Sequence, residues 1–78
     1  MTRREALSLV GRTLQVLTRY GWPMGITFRF ARYDASRFQF TLRSVHTSRE
    51  HTLSVALLED GVQSGILQIG KRERITGE

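Results

Sequence analysis

The sequence predicts an α+β domain: one N-terminal helix packed on a four-stranded antiparallel meander sheet, in the order α-β-β-β-β. Three observations predict it. Apolar residues recur at helical spacing before Pro23. After Pro23 they alternate with polar residues at a period of two. Turn-forming residues separate the alternating runs.

The helix is expected at about residues 3–20. Thr2 and Glu5 form a capping-box pair, in which each side chain can satisfy a backbone N–H near the other. Leu7, Val10, Leu14 and Leu17 then fall on one arc, and Tyr20-Gly21 followed by Trp22-Pro23 supplies a stop. Gly11 would lie inside the helix at a cost of about 1 kcal/mol. Strands are expected at about 25–33, 37–46, 51–59 and 62–70. In them Ile26, Phe28, Phe30, Phe40, Leu42, Leu53, Val55 and Leu57 face the helix. Asp34-Ala35-Ser36 is the first hairpin turn and Ser48-Arg49 the second. The second turn pairs Leu42 with Val55 and Phe40 with Leu57. Asp60-Gly61 reads as a two-residue hairpin turn, and a bulge is expected near Gly65 to keep Leu67 and Ile69 inward. Residues 71–78 are a tail, and residues 1–78 form a single domain.

Seventy-eight residues without cysteine exclude disulfides and thiolate chemistry, and favour a cytoplasmic setting. No apolar run is long enough to span a bilayer. The Arg-rich start is read as part of the helix: Arg12 interrupts the apolar stretch a signal peptide needs, and a presequence reading would strip the sheet of its helix. No membrane partner is expected. Catalytic signatures are missing: the sequence has no nucleophile triad, no phosphate-cradling glycine loop and no paired carboxylates on a strand. The expectation is a non-enzymatic protein without cofactor or metal. His46 and His51, opposed beside the second turn, are read as hairpin-end residues and not as metal ligands.

The formal net charge is +5, and eleven of the twelve basic residues are arginine. Guanidinium groups grip phosphates and carboxylates in bidentate fashion, and a basic chain is drawn to anionic partners. Three groups of basic residues are candidates. Arg4, Arg12 and Arg19 form a stripe along the outer arc of the expected helix. Arg29 and Arg43 sit as neighbours on the open face of the sheet, with Thr27, Tyr33, Gln39, Thr41, Thr52, Ser54 and Gln68. Lys71, Arg72 and Arg74 make a basic tail. Trp22-Pro23-Met24-Gly25 is read as an apolar connector that caps the core, with Trp22 as a binding anchor the alternative.

Small size, surplus arginine and missing catalytic motifs point to an inhibitor or modulator. Its partner would be an acidic or nucleic-acid-bearing complex. In size and style the chain is similar to the small proteins that phages and mobile elements direct at host defences, anti-CRISPR proteins among them, although no residue motif carries that likeness. The alternatives are a weakly sequence-specific DNA- or RNA-binding accessory protein and a structural or dimerisation subunit. A monomer or homodimer is expected.

Overall fold

The computed structural model describes residues 1–72, without the side chains of Lys71 and Arg72. The chain is α+β with an antiparallel sheet, as the alternation predicts. It differs from the expected meander in having five strands and two helices among the described residues.

The expected long helix is split. α1 spans Arg3–Leu9 and carries the Thr2–Glu5 capping box. Gly11 then turns the chain at φ 91°, a left-handed conformation that glycine adopts without steric cost. β1 follows at Arg12–Leu17. Leu14 is buried under either assignment, so its place in the core does not distinguish a helix from a strand.

β2 spans Pro23–Asp34 and β3 spans Gln39–Ser44. Their turn is stabilised by Asp34, whose Oδ1 accepts from the Ser36 backbone N–H at 3.0 Å and from the Ser36 hydroxyl at 2.6 Å. β4 spans Glu50–Ser54, shorter than expected. In the second hairpin Leu42 lies opposite His51 and Phe40 opposite Leu53. The Ser44 hydroxyl accepts from the N–H groups of His46 and Thr47, so the turn is centred upstream of Ser48-Arg49. The shift from the expected pairing is an even number of residues. It leaves the paired residues of β3 and β4 on their expected faces, which is why alternation could not detect it.

α2 spans Val55–Ser64, where the second half of one strand and an Asp60-Gly61 turn were expected. The Ser54 hydroxyl caps it by accepting from Leu57 N–H at 3.2 Å. Gly65, at φ 83°, ends it as the left-handed C-cap, so no bulge sits there. Gly61 is buried inside α2 because the Leu67 side chain presses on its Cα, where a Cβ would collide. β5 spans Leu67–Arg72 and takes in Lys71 and Arg72, which were expected in the tail.

The strand order is β4-β3-β2-β1-β5, with every neighbouring pair antiparallel. β1 to β4 form a meander. α2 then carries the chain back over the sheet, and β5 docks on the far edge beside β1. Ala6, Leu9 and Leu58 from the helices meet Leu14, Phe30, Phe40 and Leu42 from the sheet, so both helices cover one face. Phe30 and Tyr33 ring-pack on Phe40 with centroids 5.0 and 4.9 Å away. Leu7, Ile26 and Leu57, expected in the core, are exposed.

Candidate anion-binding face of the sheet

The face away from the helices is built from rows of cross-strand partners. One row runs Thr13, Arg29, Arg43, Glu50 across β1 to β4. A second runs Gln68, Gln15, Thr27, and a third Arg32, Thr41, Thr52. Gly70 leaves room for the Thr13 side chain, whose hydroxyl would meet a Cβ there. The face is polar throughout these rows.

Arg29 stands directly opposite Arg43, where the sequence leads one to expect close neighbours on adjacent strands. Arg32 joins them, which strict alternation does not foresee. The ladder slips between Phe30 and Arg32, where Ala31 is an extra residue on β2. A bulge of this kind reverses the faces beyond it. Arg32 therefore turns to the open face, and Tyr33 turns inward onto Phe40 instead of lying on the open face. The signal was present in the sequence, since an unbroken alternation would bury Arg32.

The three guanidinium-bearing residues line a cleft of about 610 Å³ at the edge of this face, together with Ser44, Ser48 and the apolar Val10, Phe30 and Val45. Glu50 lies beside Arg32 and Arg43. Its Oε2 accepts from Arg43 at 3.0 Å and its Oε1 from Arg32 at 3.4 Å. The Arg43 hydrogen bond, followed by the charge of Arg32, holds the Glu50 carboxyl below its ordinary pKa. Burial opposes this only weakly, because Glu50 is exposed. Glu50 thus serves two arginines, Arg32 and Arg43. Oriented hydroxyls and guanidiniums on a rigid sheet suit recognition of phosphate or carboxylate groups.

The other basic candidates do not gather here. The expected Arg4–Arg12–Arg19 stripe does not exist, because Gly11 ends the helical path. Arg4 is exposed on α1. Arg12 starts β1, where its Nε donates to the Gly70 carbonyl at 2.8 Å. Arg19 lies in the β1–β2 turn, donates to the Tyr20 hydroxyl at 2.9 Å and covers the Tyr20 ring at 5.0 Å. Lys71 and Arg72 end β5, and Arg74 lies outside the described residues.

His46 and His51 do not face each other. His51 opposes Leu42 and packs edge-on against Phe28 at 5.4 Å, while His46 sits in the turn. Among the described residues no group of three or more His, Cys, Asp or Glu side chains is placed to hold a metal. Trp22 does not cap the core: it is 71% exposed at the tip of the β1–β2 hairpin. No helix of the described residues is long and apolar enough to cross a membrane. The chain matches no protein-family model, no curated protein and no solved structure.

Proposed function

We propose that the protein is a small non-enzymatic binding module that modulates a nucleic-acid-handling complex, of the kind phages and mobile elements deploy. It acts by laying the open face of its sheet on an acidic or phosphate-bearing surface. The observation that supports this most directly is the convergence of Arg29, Arg32 and Arg43 on one cleft, where Glu50 pairs with both Arg32 and Arg43. The face offers donors without stacking platforms. Tyr33, the aromatic residue expected there, is turned into the core, which weighs against base stacking on single strands. An anionic protein surface, or a nucleic acid gripped by its backbone within a complex, fits better than a freely chosen base sequence.

The test is affinity capture of tagged wild-type chain and of the Arg29→Glu/Arg43→Glu variant from the cells that carry the gene, with and without nuclease. A protein complex captured stoichiometrically, retained after nuclease and lost with the variant, is the expected result. If wild type and variant capture the same set, the arginine face is not the contact. If nuclease removes everything, and wild-type chain alone shifts DNA or RNA with steep salt dependence, the protein is a direct nucleic-acid binder instead.

A further inference from the structure

We propose that the β1–β2 hairpin tip inserts into the interface of an anionic phospholipid membrane. This contact is separate from the arginine face and does not rest on it.

The tip is built to display apolar side chains. The Thr18 hydroxyl accepts from the N–H groups of Tyr20 and Trp22, each at 3.2 Å, while Thr18 N–H donates to the Trp22 carbonyl at 2.7 Å and Gly21 N–H to the Thr18 carbonyl at 2.9 Å. Gly21, at φ 84°, completes the turn. With its backbone held this way, the loop points its side chains outward. Tyr20 is 73% exposed, Trp22 71%, Met24 53% and Ile26 42%. β2 also overhangs its neighbour. Its ladder to β3 begins at Phe28 opposite Ser44, with Val45 N–H reaching the Thr27 carbonyl, so Pro23–Ile26 lie beyond the part of β2 that pairs with β3.

The charges around the tip select the partner. From Tyr20 to Phe28 the chain carries no charge, and from Ala6 to Tyr33 it carries no acid. Arg19 stands at the shoulder. On the other side a groove runs from Ile26 and Phe28 to His46, Arg49 and His51, with no carboxylate among the described residues of its lining. A projecting apolar tip with Trp and Tyr, collared by cations, has the composition of a membrane-interface anchor. Amphipathic aromatic rings settle at the headgroup level, and nearby arginines are attracted to anionic lipid. Contact of this kind requires no spanning segment. A second copy of this chain would bring the same cations against the collar.

Trp22 is the sole tryptophan, so its emission reports on the tip directly. The experiment titrates the full chain with vesicles of phosphatidylcholine alone and of phosphatidylcholine mixed with phosphatidylglycerol, at low and high salt. Expected are a blue shift, protection from iodide quenching and co-sedimentation, all with the anionic vesicles and all weakened by salt. Met24→Asp, at an exposed position, should abolish the shift while leaving circular dichroism and the thermal melt unchanged. Arg19→Gln and Arg49→Gln should each weaken partitioning by about fivefold. The proposal is overturned by anionic vesicles that leave Trp22 emission unmoved at low salt, or by a shift that survives Met24→Asp. It is equally overturned by a blue shift that grows with protein concentration in the absence of lipid, because a second copy then covers the tip.

Discussion

Glu50 is the residue that sets how available the arginine face is. It is an anion already in place, bound to Arg43 and Arg32, and an incoming phosphate or carboxylate has to compete with it there. Glu50→Gln removes the competitor while keeping the side-chain shape. Exposed ion pairs contribute little to stability, so the variant should melt near the wild-type temperature. Its affinity for an anionic probe such as heparin should rise by roughly two- to fivefold, given the usual strength of exposed pairs. A fall in affinity would mean that Glu50 orients the guanidiniums instead of occupying them. The pH dependence has a definite sign. The pKa of Glu50 is lowered in the folded chain by Arg43 and Arg32, so its pairing is complete above the unfolded-state value and is lost as pH falls through the lowered folded value. Sulfated probes stay charged in that window. Heparin binding, followed by titration calorimetry, should therefore tighten on acidification below the ordinary carboxylate range, and Glu50→Gln should remove that part of the pH dependence.

At the scale of the element, α2 is both the least legible piece of the sequence and the most easily tested. Its signals were present: Ser54 caps it, Gly65 stops it, and Val55, Leu58 and Gly61 follow helical spacing. They competed with the alternation of Leu53, Val55 and Leu57 and with Asp60-Gly61, a dipeptide that elsewhere makes tight hairpins. Tertiary packing decided between them, because Gly61 is where Leu67 of β5 crosses the helix. Gly61→Ala would ordinarily gain about 1 kcal/mol of helix propensity. Here the added methyl meets the body of the Leu67 side chain, and overpacking costs about 1–3 kcal/mol. The expected outcome is a lower melting temperature. A higher one would show that Leu67 moves aside freely. Leu58→Ala, at a fully buried position, should cost about 2–5 kcal/mol by denaturant titration. The α1–β1 boundary was hidden by the same kind of ambiguity. Leu14 and Leu17 satisfy a helical period and lie on a strand, and Gly11 was the one residue that marked the break. The capping box, the adjacency of β2 and β3 that makes Arg29 and Arg43 neighbours, and the alternation of β3 could be read directly, since each rests on neighbours close in sequence. Arg32 could not, since one extra residue at Ala31 decides its face.

Across the whole molecule, the sheet is completed by β5, which comes after β1 to β4 and α2 in the chain. β1 to β4 are joined by hairpins and can pair as they emerge. β5 reaches its place only after α2 has crossed the helix side from β4 to the opposite edge. Until then β1 is an edge strand, with Leu14 and Val16 beside an unfilled position that Ile69 and Leu67 later occupy. Unpaired edges with apolar neighbours recruit other chains, and a pairing that waits on a crossover is slow because loop closure precedes its reward. Ending the chain after Ser64 tests this. The truncated protein loses the Gly61–Leu67 contact and the β1 ladder together, so it should melt without cooperativity and aggregate, as light scattering would show. A synthetic peptide carrying residues 65–72, added during refolding, should restore a cooperative transition by occupying the edge beside β1. A truncated chain that stays monomeric with an unchanged denaturant m-value would mean that the meander and α1 fold on their own. β5 would then be a late addition instead of the strand that completes the cooperative unit.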